Sequence, residues 1–100
     1  MEHYEVFLSP KALRDLDAIY AYVAEVLLEQ KTAAELIDEL ENGILSLEQM
    51  PYRCAERKVG AYGNRGYRQL FIRNYTVIYR IDEENRHVIV VTVVYSRRDF

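Results

Sequence analysis

The sequence predicts an α+β fold of order βααβββ, a helical hairpin packed on one face of an antiparallel sheet. Two observations carry that expectation. Apolar residues recur every three to four positions through the first half of the chain, and every second position from Tyr67 onward. Between the two regimes lies "PYRCAERKVGAYGNRG", residues 51–66, a loop that holds Gly60, Gly63 and Gly66.

Each element has its own signal. "HYEVFL", residues 3–8, alternates and is rich in strand formers, which predicts a first strand. Ser9-Pro10 then predicts a helix start: the serine can accept from an orphan N–H, and proline at the first helical position gives up a donor that lacked a partner. Leu13, Leu16, Tyr20, Val23 and Leu27 follow as one apolar stripe over about five turns. Thr32 and Glu35 have capping-box spacing and predict a second start after the linker "EQK". Leu36, Ile37, Leu40, Ile44 and Leu47 continue that helix until Pro51 forbids it. Gly43 inside it costs about 1 kcal/mol relative to alanine, so close packing is expected there.

"YRQLFIR", "YTVIYRID" and "HVIVVTVVY" are three strands in succession, broken at Asn74 and at "EENR". Short connections make them antiparallel. If "EENR" is a turn, residue 82 faces 87, Tyr79 faces Val90 and Asn74 faces Tyr95. A turn at Arg73-Asn74 sets Arg68 opposite Tyr79 and brings Arg73 near Tyr95. The last strand is apolar on both faces, as a central strand would be.

Bulk properties narrow the function. The 100 residues, half hydrophobic and 29% charged, fit one globular domain over 1–100. "MEHYEVFLSP" has no basic start or apolar core, so no secretory leader is expected. No apolar run approaches the ~18 residues of a membrane span. A single cysteine, Cys54, suits a reducing compartment, and a cytoplasmic protein is expected. His3, His87 and Cys54 lack metal-ligand spacing, and "GAYGNRG" matches no phosphate-loop pattern, so neither metal nor cofactor is expected.

The charges are split. Residues 1–50 hold three basic residues against eleven acidic ones, and residues 51–100 hold ten against five. Arg53, Arg57, Lys58, Arg65, Arg68, Arg73, Arg80, Arg97 and Arg98 are interleaved with Tyr52, Tyr62, Tyr67, Tyr75, Tyr79 and Tyr95. Arginine clamps anions and tyrosine offers a stacking face and a hydroxyl, a combination suited to a polyanion; strand tyrosines half-buried beside flanking arginines are the plainer alternative.

The order of these pieces, "YEVFLSPKALRDLDAIYAYV", a second helix ending in proline, "GYRQLFIRNYTVIYRID" and "VIVVTVVYSRRDF", resembles the RelE/ParE superfamily of bacterial toxins over essentially the whole chain. The more specific pieces are an arginine followed by Y-x-V-x-Y-x-I, and a closing aromatic-x-Arg-Arg-Asp. The resemblance implies a type II toxin neutralised by a cognate antitoxin, as a heteromer, with a homodimer as a further assembly. It leaves two targets open: DNA gyrase, inhibited by binding in the ParE-like branch, or the ribosome and its messenger RNA, cut by the RelE-like branch. A non-toxic interaction module is a third reading.

If the chain cuts, the resemblance assigns catalysis to Arg68, Tyr95 and Arg97. Thr76, however, stands where the cutting branch has an arginine, which favours the ParE-like side. Target contact is expected at Arg68, Arg73, Tyr79, Arg97 and Arg98. Antitoxin contact is expected at Leu16, Tyr20 and Val23, and at Arg68, Arg73 and Arg97.

Overall fold

A computed structural model describes residues 3–96. The final Arg97, Arg98, Asp99 and Phe100 lie outside the described residues. The elements are β1 (Glu5–Leu8), α1 (Pro10–Ala21), α2 (Gln30–Leu45), β2 (Arg68–Ile72), β3 (Tyr75–Asp82) and β4 (His87–Tyr95). The strands run in the order β1-β4-β3-β2, and both helices pack on this sheet.

The β2–β3 and β3–β4 pairs are antiparallel, and Arg68 faces Tyr79 as expected. β1, however, lies parallel to β4, with Glu5 opposite His87 and Leu8 opposite Val90, so the sheet is mixed. No tight turn joins these two strands; the helical hairpin and β2–β3 intervene, and a crossover of that length permits parallel pairing. With β1 on one side and β3 on the other, β4 is central. That explains its apolar sequence.

One register differs. Asp82 faces His87 and Tyr79 faces Val90, but Ile78 faces Thr92, so β4 carries one extra residue at Val91. This β-bulge sets Tyr75, rather than Asn74, opposite Tyr95.

Ser9 starts α1 as its type predicts. Its Oγ accepts from the Ala12 N–H at 3.0 Å. The same hydroxyl donates to the bulged Val91 carbonyl at 2.9 Å, and the Ser9 N–H donates to Val90 O. α1 runs into a π-helical turn at Tyr22–Val26, where the Leu27 N–H reaches Tyr22 O at 3.1 Å.

The second helix begins earlier than the capping-box spacing suggests. Its N-cap is Glu29, and the Ala33 N–H already bonds to Glu29 O at 2.9 Å. Thr32 is therefore inside the helix, and no Thr32–Glu35 box forms. The linker is residues 27–29.

Leu36, Leu40, Ile44 and Leu47 from the second helix and the turn after it are buried against Val77, Tyr79, Val88, Val90 and Val93. The α1 stripe is rotated from its expected position. Ala12, Leu16 and Val23 are buried with Ile19 beside them, while Leu13 is 50% and Tyr20 43% exposed. Small Ala12 sits at the tight contact, so the larger Leu13 and Tyr20 fall on the flank.

Gly43 lies under β2. A Cβ there would overlap Cδ1 of Ile72 and stand 3.2 Å from its Cγ1. Gly43→Ala should therefore fail to deliver the ~1 kcal/mol helix gain that alanine normally brings. Combined with Ile72→Val, which removes the overlapping atom, the substitutions should couple favourably by about 1 kcal/mol in a urea-denaturation cycle. Full additivity would show that the contact does not select glycine.

Candidate functional site

α1 is tied to the middle of β4 by Asp15. Its Oδ2 accepts from Thr92 Oγ1 at 2.6 Å and from the Val93 N–H at 3.0 Å, and Lys11 Nζ lies 3.0 Å from both carboxylate oxygens. Burial pushes this carboxyl up, but the hydrogen bonds from Thr92, Val93 and Lys11 outweigh it and hold the group below its ordinary value.

Beyond Asp15 a groove of about 900 Å³ opens between the helical hairpin and the end of the sheet, lined among others by Ile19, Tyr22, Val23, Tyr75 and Tyr95. The bulge brings Tyr75 and Tyr95 face to edge, with ring centres 5.6 Å apart and planes at 70°. Arg73 stands on the rim, in the β2–β3 turn, at a φ of 52°. That left-handed backbone favours glycine, so an arginine there is held against local preference. Its guanidinium forms a two-pronged pair with the Glu39 carboxylate of α2, Nε donating at 2.7 Å.

Three other arginines are also occupied. Arg68 donates to Cys54 O at 2.6 Å and stacks over the Tyr52 ring at 5.0 Å. Arg57 is 4% exposed; it donates to Val59 O and to Gln69 Oε1. Arg53 donates to Gln49 O and to Ser46 Oγ, closing the end of the second helix. These contacts stitch the loop of residues 51–57 to β2, where Gln69 N–H meets Ala55 O and Arg57 N–H meets Tyr67 O. Lys58, Arg65 and Arg80 are exposed, with no hydrogen bond or salt bridge among the described residues.

Tyr79, expected to contact a target, is fully buried, and its hydroxyl donates to Pro51 O at 2.6 Å. It has no surface to offer. Burial pushes the phenol well above its ordinary value, so it stays protonated as a donor.

Arg68 and Tyr95 are not brought together. Arg68 faces Tyr79 and Tyr95 faces Tyr75, and four residues of strand separate these partners by about 13 Å. Arg97, expected to act with them, and Arg98, expected to contact a target, lie outside the described residues. Thr76 is buried, its Oγ1 2.8 Å from Ser96 Oγ. Leu16, Tyr20 and Val23 divide between two surfaces: Val23 lines the groove beside Tyr95, while Leu16 and Tyr20 line a smaller one near β1.

Sequence reasoning passed over Asp15 and Glu39. Lys11 and Asp15 at i, i+4 were legible as a helical pair. The bond of Asp15 to Thr92 crosses 77 positions and had no local signal.

Among known families, the one described as the ParE toxin of the type II toxin–antitoxin system parDE matches residues 6–100. A chromosomal ParDE toxin–antitoxin structure from P. aeruginosa superposes with a TM-score of 0.77 at 20% identity, covering 93% of this chain and 96% of that one. The RelBE toxin–antitoxin complex of Mycobacterium tuberculosis gives 0.64 at 23% identity, covering 95% and 93%. The free E. coli RelE toxin, in a mutant form, gives 0.64 at 14% identity, covering 96% and 86%. These likenesses establish the fold. No curated protein sequence matches the chain.

Two side chains test the geometry. Asp15→Asn should lower stability at pH 7 by about 1–3 kcal/mol, since buried donors lose a charged acceptor. Because the folded carboxyl titrates below its ordinary value of 3.8, its contribution is complete above that value and is lost as pH falls through the folded one. Acid unfolding curves of the asparagine variant should therefore flatten in that window. Tyr79→Phe should cost about 1–3 kcal/mol in thermal or urea unfolding by leaving the Pro51 carbonyl without its donor.

Proposed function

Because this chain belongs to the ParE toxin family of type II toxin–antitoxin systems, we propose that it arrests growth by binding DNA gyrase, and that it does not cut RNA. Residues 1–100 act as one toxin domain in the cytoplasm, held inactive by a cognate antitoxin. The observation that carries this reading is the engagement of Arg68. Cutting at a 2′-hydroxyl needs a base, an acid for the leaving oxygen, and positive charge on the phosphate. Arginines supply only the charge. Arg68 is turned onto Cys54 O and the Tyr52 ring, away from Tyr95. The position that resembles a cutting-branch arginine is a buried threonine, Thr76.

Binding suits what is exposed. Arg73 and the paired Tyr75 and Tyr95 border an open groove, and the Arg73–Glu39 contact is an exposed surface pair that solvent and salt screen. A partner's anion can take Arg73 from Glu39 at little cost. Arg97 and Arg98 follow Tyr95 and Ser96 in the sequence and add two further positive charges to it.

Purified protein should block supercoiling by DNA gyrase at micromolar concentration. Unaffected gyrase, together with codon-specific cuts in translated message that disappear in Tyr95→Phe, would replace this reading with the RelE-like one. The double substitution Arg97→Ala and Arg98→Ala should abolish growth arrest while shifting the melting temperature by less than about 4 °C. A variant that still arrests growth would remove the two arginines from the target contact.

A further inference from the structure

We infer that Glu39 of α2 is the internal occupant of a carboxylate site at the mouth of the larger groove. In the bound state Arg73 takes, in place of Glu39, a single carboxylate carried on an apolar segment of the target protein, and not the phosphates of DNA. This part rests on the binding reading above and names the chemistry of the partner at that surface. Glu39 already shows what the guanidinium accepts. One carboxylate oxygen meets Arg73 Nε at 2.7 Å and the other meets Nη2, the two-pronged fit of a carboxylate on a guanidinium. Both side chains are nearly half exposed, 45% and 46%, so the pair holds weakly against water and a second carboxylate of the same geometry can exchange with Glu39. The turn that carries Arg73 does not depend on the pair. Ile72 faces Tyr75 across it, and the Asn74 carbonyl accepts from the Ser96 N–H at 2.8 Å. The guanidinium can leave Glu39 while the backbone stays in place.

The surroundings decide between one carboxylate and a polyanion. Among the described residues lining the groove, Arg73 is the one cation, against Asp15 and Glu29. Glu35, one turn before Glu39 on α2, adds its field at the same guanidinium. Duplex DNA carries one charge per ~1.7 Å of its axis, so a phosphate seated on Arg73 would bring its neighbours against Glu29, Glu35 and Glu39. A lone carboxylate brings no second charge to that rim. It has to be carried by apolar residues, because the groove behind Arg73 is floored by Ile19, Val23, Leu27 and Val93 and walled by the Tyr75–Tyr95 pair. An apolar segment with one acidic side chain satisfies both the floor and the rim.

The test titrates the full chain with 4-phenylbutyrate, with its amide 4-phenylbutyramide and with a short DNA duplex, following the Arg73 Nε–H and Tyr95 ring signals by NMR. The acid should shift both signals and bind about fivefold more tightly than the amide, and the duplex should leave them in place. Glu39→Gln should tighten the acid about two- to fivefold and leave the amide unchanged, since only the acid competes for the guanidinium. In Arg73→Ala the acid and the amide should bind equally. Equal affinity in the unaltered chain, no gain in Glu39→Gln, or a duplex that shifts Arg73 ahead of the acid would overturn the inference. On gyrase, Glu39→Gln should lower the half-inhibitory concentration about two- to fivefold. Asp38→Asn, the same charge change at an exposed neighbouring position, should not. A Glu39→Gln chain that inhibits less well would show that the pair builds the target surface, and would remove Glu39 as a competitor. If the unaltered chain leaves gyrase untouched, the gyrase reading fails, and the titration still decides the carboxylate site.

Discussion

The carboxylate of Asp15 fixes how the helical layer meets the sheet. β1 ends at Leu8, opposite Val90, while β4 continues to Tyr95. Past that point, β4 would turn unpaired backbone groups toward a packed helix, and buried groups of that kind need partners. Ser9 takes the Val91 carbonyl, and Asp15 takes the Val93 N–H and the Thr92 hydroxyl. Two side chains near the start of α1 thus stand in for the missing length of β1. They hold α1 at the bulge, which in turn sets Tyr95 opposite Tyr75 and leaves the larger groove open behind Asp15.

The arginines and tyrosines that suggest a polyanion site in the sequence do mainly structural work within the described residues. A loop of residues 51–57 has no regular pairing of its own beyond a single bridge to Arg68. The side chains of Arg53, Arg57 and Arg68 add hydrogen bonds to that bridge, and Tyr79 reaches up from β3 to hold Pro51. Tyr4 and Tyr52 both donate to Glu83 at the β3–β4 turn, at 2.7 and 2.9 Å. Charge-assisted bonds of this kind are stronger than neutral ones, and they tie a long loop to the sheet where apolar contact is sparse. The surfaces left for partners are therefore grooves and rims, with Arg73 beside the tyrosine pair.

The elements and the hairpin pairs nearest each turn were readable from the sequence because their causes are local. Ser9-Pro10 starts a helix wherever it occurs beside an apolar stripe, and alternation at 68–72, 75–82 and 87–95 sets strand faces without reference to the rest of the chain. A two-residue turn after Ile72 and a four-residue turn after Asp82 fixed the pairs Arg68–Tyr79 and Tyr79–Val90. The order of pieces also carried the family, which the match over residues 6–100 establishes.

What the tertiary structure decided is which of those side chains are free. The bulge at Val91, the parallel placement of β1 and the outward turn of Leu13 and Tyr20 depend on packing between layers. Arg73 finds Glu39 across 34 positions, Tyr79 finds Pro51 across 28, and Asp15 finds Thr92 across 77. A sequence shows the hydrogen-bonding capacity of each residue but not the group that folds opposite it. In a chain this small most polar groups near the core are claimed from far along the sequence, so the availability of a side chain for function is a property of the fold alone.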